Sequence, residues 1–355
     1  MAIKTLAVKY RPQTFDDIVE QDAVKIILKQ QLESNETKNA YLFCGPAGDG
    51  KTTTARIFAN ELNHGKGNPI EMDAASNSGV EDVRNISQQA RTKSMDSEYK
   101  VFIIDECHSI SNTGWQAFLK LIEEPPAKSI FIFCTTDPQK IPKTILSRVQ
   151  RYDFQRISQR GIVDRLYYII YEELNTKGTK LGDTDKIHFE MQALEYIAKI
   201  ADGGMRDAIS LMDKCLAYSA DLTLENVVKA LGTVDYSEMK DLTQNILSQD
   251  IKQVMTKLGK LYANGKDVKQ FIRLYTLFIL DILKYHYGCD WTLLSIPRLD
   301  DNEKWMDSFD DSRIYLIQLL LDVLVRLQSE LKYSQTPLQD VESNLLLMMV
   351  KETDI

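Results

Sequence analysis

No run of about 18 apolar residues occurs in this 355-residue chain, so nothing in it reads as a membrane span. The first residues, MAIKTLAVKYRPQTF, have neither an apolar core nor a cleavage site, and no secretory signal is read there. Cysteine is sparse and scattered. Cys44, Cys107, Cys134, Cys215 and Cys289 form no C-x-x-C pair, which argues against a disulfide framework or a Cys-rich zinc site and fits a reducing compartment. Basic excess is also missing. A formal net charge of −8 argues against a chain coated in basic patches, so any nucleic-acid contact must be local or assembled with partners. Repeats, low-complexity tracts and long charge runs are absent as well.

What is present is an ordinary globular composition, 44% hydrophobic and 26% charged, with room for about two or three domains. Through residue 155, short β-type runs alternate with helical patterns. The runs NAYLFCG (39–45), NPIEMDA (68–74), KVFIIDE (100–106) and SIFIFCTT (129–136) read as strands. Three of them are almost continuously apolar, as strands buried on both faces of a parallel sheet are. Helices fit at GKTTTARIFANEL, VEDVRNISQQART and GWQAFLKLIEE, the last stopped by Pro125 and Pro126. Strand–helix alternation predicts an α/β domain of three layers around a parallel sheet.

After Phe154 the pattern turns helical, with Ile162, Leu166, Ile169 and Ile170 on one face, followed by Leu194, Ile197 and Ile200. A turn-rich stretch, LGTVDYSE (231–238), suggests a second boundary, and the rest is helical by period. YLIQLLLDVLVRLQSEL (315–331) is too apolar for a solvated helix and should pack inside a bundle. The polar, Pro-interrupted residues 288–313 read as a long loop. The expected division is a nucleotide-binding domain at 1–155, a helical lid at 156–234 and an all-α domain at 235–355.

GPAGDGKT (45–52) matches G-x-x-x-x-G-K-[ST] after a strand and at the start of a helix, the context that motif needs. Gly45, Pro46, Ala47, Gly48, Asp49 and Gly50 would wrap their amides around phosphates, at the positive end of the helix that carries Lys51, Thr52 and Thr53. Lys51 would meet the β- and γ-phosphates and Thr52 would offer its hydroxyl to Mg²⁺. In VFIIDE, Asp105 falls at the C-terminal end of a buried strand, where ligand sites of α/β sheets lie, and would hold Mg²⁺ through water. Glu106 would orient and deprotonate an attacking water. The letters DECH also suit a helicase, in which His108 would couple nucleotide to nucleic acid. A lone His after a strand is more often a polar packing residue.

Several longer stretches resemble one family. LAVKYRPQTFDDIVEQ (6–21), AYLFCGPAGDGKTTTAR, DAASNSGVEDVR, FIIDECHSIS, LKLIEEPP and FCTTDPQKIPKTILSRV are similar, in order and spacing, to clamp-loader AAA+ ATPases. The nearest resemblance is to the gamma/tau subunits of bacterial DNA polymerase III, with replication factor C subunits looser. It implies an AAA+ domain, a lid and an oligomerisation collar. It also implies ATP and Mg²⁺ as cofactors, and ATP-driven opening and loading of a ring-shaped clamp on primer–template DNA. The implied partners are other loader subunits, the sliding clamp, DNA held through its backbone near SNSGVEDVR (with Arg84 and Arg91 as candidates) and a DNA polymerase. The resemblance further implies no membrane partner, and as compartment the cytoplasm of a bacterial or phage-infected cell.

Site roles follow position by position. Arg148, in ILSRV, looks like an arginine finger that serves a neighbouring subunit. Thr136 in TTD looks like sensor 1, with Thr135 the alternative, and Arg206 in GGMRDA resembles sensor 2. Ala7, Arg11 and Val19 fall where the family contacts adenine and ribose. Departures from the family also stand out, among them that no extension of the kind that tethers polymerase and helicase is read after the third domain. The interval NHGKGN (63–68) is too short for the four zinc cysteines of the bacterial chains, so no zinc is expected, and Val149 replaces the usual Cys. A phage-encoded loader fits such a compact version. The alternatives are another AAA+ DNA-remodelling motor or helicase loader, and a non-hydrolysing structural subunit of the same assembly.

Overall fold

In the computed structural model, residues 5–92, 94, 96–176, 188–231, 236–265, 267–296 and 300–353 are described. They divide into two compact units, 1–224 and 225–355.

The first unit is built on five parallel strands, β1 (Ala40–Cys44), β2 (Ile70–Asp73), β3 (Lys100–Asp105), β4 (Ser129–Thr135) and β5 (Gln150–Asp153), in the order β2-β3-β4-β1-β5. All residues of β1 and β4 are buried, as their apolar runs predict. Period-2 alternation sorts their side chains. Leu42, Phe102, Phe131 and Phe133 meet Trp115 and Phe118 on one face. Tyr41, Phe43, Ile103 and Ile132 meet Phe58 and Leu28 on the other. Each large side chain so buried contributes about 1.5–3 kcal/mol, which makes this sheet a rigid platform for the loops at its ends.

β5 is a correction to the four strands read from the sequence. It pairs with β1 from Tyr41↔Gln150 to Cys44↔Asp153, yet only Tyr152 is buried. An edge strand keeps one side in solvent, so Gln150, Arg151 and Asp153 give it no apolar run to be read by.

The helix Asn112–Glu123 starts on Ser111, whose Oγ accepts the Gly114 amide at 3.1 Å, and ends just before Pro125. Three further helices, Gln159–Thr176, Met191–Ile200 and Met205–Tyr218, pack against one another. Ile162, Leu166, Ile169, Ile170, Leu194 and Ile197 are buried as expected, whereas Ile200 ends its helix exposed.

The second unit is helical: Tyr236–Leu247, Ile251–Ala263, Val268–His286, Asp300–Asp307, Asp311–Glu330 and Pro337–Thr353. Ile317, Leu320, Leu324 and Leu327 sit in its core with Tyr275, Phe278 and Ile279, so the apolar segment 315–331 does pack inside a bundle. The stretch 288–313 is not a long loop. A turn at Trp291–Leu293, the helix Asp300–Asp307 and the start of the next helix occupy most of its described part. Its organiser is Asp281, 0% exposed, which accepts the amides of Ser295 at 2.5 Å and Ile296 at 3.0 Å. Leu294, Ile296, Met306 and Phe309 are thereby held in the core. The boundary expected at LGTVDYSE falls partly on residues 232–235, outside the described residues, and the compact units divide earlier, between Leu224 and Glu225.

Candidate nucleotide-binding site

The register of the sheet builds the site. Cys44 pairs with Thr135, and the next residue, Gly45, donates its amide to the Thr135 carbonyl at 3.2 Å. The loop 45–50 therefore leaves β1 beside the end of β4 and turns into the helix Lys51–Leu62. Gly50, the residue before that helix, has φ +100°, a conformation costly for a side chain. A Cβ on Gly45 would lie 2.2 Å from Asp49 Oδ2, so the glycine makes room for that carboxylate.

A cavity of about 550 Å³ opens over this loop, a volume suited to a cofactor-sized ligand. Ala47, Gly48, Asp49, Gly50, Lys51, Thr52, Thr53, Asp105, Glu106, Thr136 and Arg206 line it, together with Ala7, Arg11 and Val19. Gly45 and Pro46 are not in its wall. They act from behind, their carbonyls accepting from Lys51 Nζ, at 2.8 Å for Gly45.

Asp105 Oδ2 accepts from the Thr52 hydroxyl at 2.8 Å, and Asp105 Oδ1 accepts the Glu106 amide at 3.0 Å. A hydroxyl beside a carboxylate is a hard oxygen donor set of the kind a divalent cation such as Mg²⁺ takes. Glu106 has φ +46°, an uncommon conformation for a side-chain-bearing residue, which turns the chain sharply after β3. Its Oε2 accepts from the Thr136 hydroxyl at 3.1 Å and lies 3.3 Å from His108 Nδ1. Thr135 is fully buried behind it, 3.2 Å from the same imidazole nitrogen and accepting the Asp137 amide at 3.0 Å. Of the two threonines, Thr136 is the one on the cavity wall.

The lid helix meets the loop directly. Met205 donates its amide to the Gly48 carbonyl at 3.0 Å, which sets Arg206, in the first turn of Met205–Tyr218, at the cavity. At the other end, Tyr10 donates its hydroxyl to Glu173 at 2.7 Å, Lys9 pairs with the same carboxylate, and Arg165 donates to the Tyr10 carbonyl at 3.1 Å. Burial, then the Glu173 contact, pushes the Tyr10 phenol up to about 12. These bonds fasten the segment that carries Ala7 and Arg11. Arg165 and Arg56 also line the cavity and were not foreseen: Arg165 falls in no motif, and Arg56, the last residue of AYLFCGPAGDGKTTTAR, was given no role.

Arg148 is not in the wall. Its Nε lies 2.8 Å from Glu123, its Nη1 donates to the Thr144 carbonyl at 2.8 Å, and the side chain is half-exposed. Arg84 is exposed and paired with Glu81 at 2.6 Å, and Arg91 is exposed.

With the site's geometry described, the chain can be set beside known proteins. Residues 66–158 match the model of the DNA polymerase III delta subunit, and 176–221 that of the clamp-loader ATPase lid domain. Residues 222–353 match domain III of the DNA polymerase III gamma and tau subunits. The chain is 33% identical to DNA polymerase III subunit tau of Bacillus subtilis, over 95% of this chain and 62% of that protein. It belongs to the DNA polymerase III gamma/tau family. Another gamma/tau relative, subunit tau of Escherichia coli, is 30% identical over 98% of this chain and 55% of its own length. The chain thus spans between half and two thirds of these family members. Among solved structures, the RuvB Holliday junction branch migration motor of Thermotoga maritima covers 73% of this chain and 86% of its own, with TM-score 0.51 at 20% identity. That likeness shows the AAA+ fold alone. No described helix is long and apolar enough to cross a membrane.

Proposed function

We propose that this chain is an ATP-hydrolysing subunit of a sliding-clamp loader, which opens a ring clamp and loads it on primer–template DNA. The observation that carries the proposal is the joined set Thr52, Asp105, Glu106 and Thr136 at one cavity, in a chain of the gamma/tau family. In this reading the chain works as an AAA+ domain (1–155), a lid (156–234) and an oligomerisation collar (235–355).

In this reading each site residue takes a role that its place at the cavity or the family resemblance supports. ATP with Mg²⁺ supplies the phosphoryl group and the charge that Lys51, Thr52 and Asp105 hold. Ala7, Arg11 and Val19, on the cavity wall, would contact the base and ribose. Glu106 removes a proton from the attacking water, with Thr136 fixing its carboxylate. Arg206 senses the phosphates from the lid, so that binding moves lid and loop together through Met205 and Gly48. Arg148 serves the pocket of a neighbouring subunit. The reading includes no zinc, because residues 63–68 hold no cysteine. Its partners are fellow loader subunits, the clamp, DNA held by its phosphates near residues 76–84, and a polymerase, all in the cytoplasm.

The test is co-purification with the products of neighbouring genes, followed by an ATPase assay with clamp and primed DNA. Turnover that rises with both is expected. An assembly that binds clamp and DNA yet never hydrolyses ATP would mark the chain as a non-hydrolysing structural subunit.

A further inference from the structure

The phosphate-binding loop carries a negative charge of its own. Asp49 is 1% exposed, and its Oδ1 lies 2.9 Å from Lys51 Nζ, which is itself only 6% exposed. The same ammonium donates to the Gly45 and Pro46 carbonyls, so three acceptors of the loop surround the cation that the site needs for phosphates. Oδ1 also accepts the Lys51 amide, at 3.3 Å. The other carboxylate oxygen, Oδ2, is buried without a hydrogen-bond partner. Leaving a buried acceptor unmade is costly, and burial pushes the Asp49 carboxyl above its ordinary range although Lys51 opposes the shift. The pair is therefore a poor resting place for the lysine, but it is the one that lies within the loop.

We propose that Asp49 is a positioning residue that competes with nucleotide phosphates for Lys51, holding the lysine inside the loop until a di- or triphosphate draws it out. The proposal rests on the nucleotide-site reading above and deepens it. Removing the carboxylate frees Lys51 for phosphate at no cost in counter-ion. A ligand without β- and γ-phosphates gives Lys51 nothing to exchange for Asp49, so it is indifferent to the substitution.

The experiment is equilibrium binding of ATP, ADP and adenosine to the full chain by calorimetry, for wild type, Asp49→Asn and Asp49→Thr. ATP and ADP affinity should rise on the order of tenfold in both variants, as expected for the loss of a competing buried charge, while adenosine affinity stays put. In a Lys51→Met background the Asp49→Asn gain should vanish, because the contest has lost its object. Unchanged or weaker ATP binding by folded Asp49 variants would overturn the proposal. So would a gain that persists without Lys51, which would mean direct repulsion of phosphate. If neither variant folds, the carboxylate is a structural counter-ion and the proposal also falls. Wild-type protein that binds no ATP at all would instead remove the nucleotide-site reading, so the two failures are distinguishable.

Discussion

The Thr136 hydroxyl donates to the Glu106 carboxylate at 3.1 Å, joining the end of β4 to the residue that follows β3. With Asp105 accepting from both Thr52 and the Glu106 amide, the loop helix, β3 and β4 become one hydrogen-bonded set. A carboxylate held at a fixed orientation can take a proton from a water without first reorganising.

Glu106→Gln tests that role. The amide oxygen still accepts from Thr136, and Lys51, Thr52 and Asp105 are untouched, so nucleotide affinity should remain near wild type. Turnover should drop by about 10²–10⁴-fold, the range for loss of a general base. In a loader assembly the variant should hold a clamp open and fail to release it on primed DNA. Single-turnover hydrolysis beside fluorescent-nucleotide binding separates the two effects, and wild-type turnover would remove Glu106 from the chemistry.

Thiol chemistry offers an independent check on the packing. Burial pushes the thiols of Cys44 and Cys215 up to about 11, and those of Cys107 and Cys134 well above their ordinary value. A raised thiol pKa lowers the reactive thiolate fraction at any pH below it, and all four side chains are also out of reach of solvent. At pH 8 a disulfide reagent should label Cys289, the half-buried one, promptly in the native protein and the other four only on unfolding. Rapid native labelling of Cys107 or Cys134 would contradict the sheet packing around them.

Cys44, Cys107 and Cys134 lie in or just after the strands that the sequence displayed most plainly, whereas Cys215 is on the helix Met205–Tyr218. β1, β3 and β4 are buried on both faces, so each is a nearly unbroken apolar run, and the phosphate loop between strand and helix is fixed by backbone geometry that only glycine tolerates. β5 and Arg165 were not legible, for opposite reasons. An edge strand needs no apolar run, and a cavity residue on a helix far along the chain needs no motif. Asp49 stood inside the motif, but at a position where the motif accepts any residue. Its charge mattered only once the structure set it 2.9 Å from Lys51. The polar stretch 288–313 misled in part because Asp281, on the preceding helix, supplies the acceptor for the Ser295 and Ile296 amides.

Asp281→Ala should consequently destabilise the C-terminal unit. The buried amide of Ile296 and the part-buried amide of Ser295 lose their acceptor, at a cost of roughly 2–4 kcal/mol. Asp281→Asn keeps one acceptor oxygen and should cost less. Urea unfolding of the full chain measures both; equal stability of Asp281→Ala and wild type would show that the carboxylate does not pin this segment.

The last prediction concerns Arg148, which pairs with Glu123 at 2.8 Å while both side chains are about two-fifths exposed. An exposed pair of this kind contributes at most about 1 kcal/mol, so it does not prevent the guanidinium from turning to a neighbour's nucleotide. Arg148→Ala should leave nucleotide binding to its own subunit intact while hydrolysis at the neighbouring site drops, by about 10³–10⁵-fold if the finger matches those of GTPase systems. An isolated monomer should be a poor ATPase for the same reason. Mixing supplies the decisive measurement. Subunits with Arg148→Ala and subunits with Lys51→Ala should each be inactive alone. Where an Arg148→Ala pocket faces a Lys51→Ala neighbour, however, an intact pocket meets an intact finger, and some activity should return. No recovery in demonstrably mixed assemblies, or full activity of Arg148→Ala alone, would mean that hydrolysis is completed within one subunit.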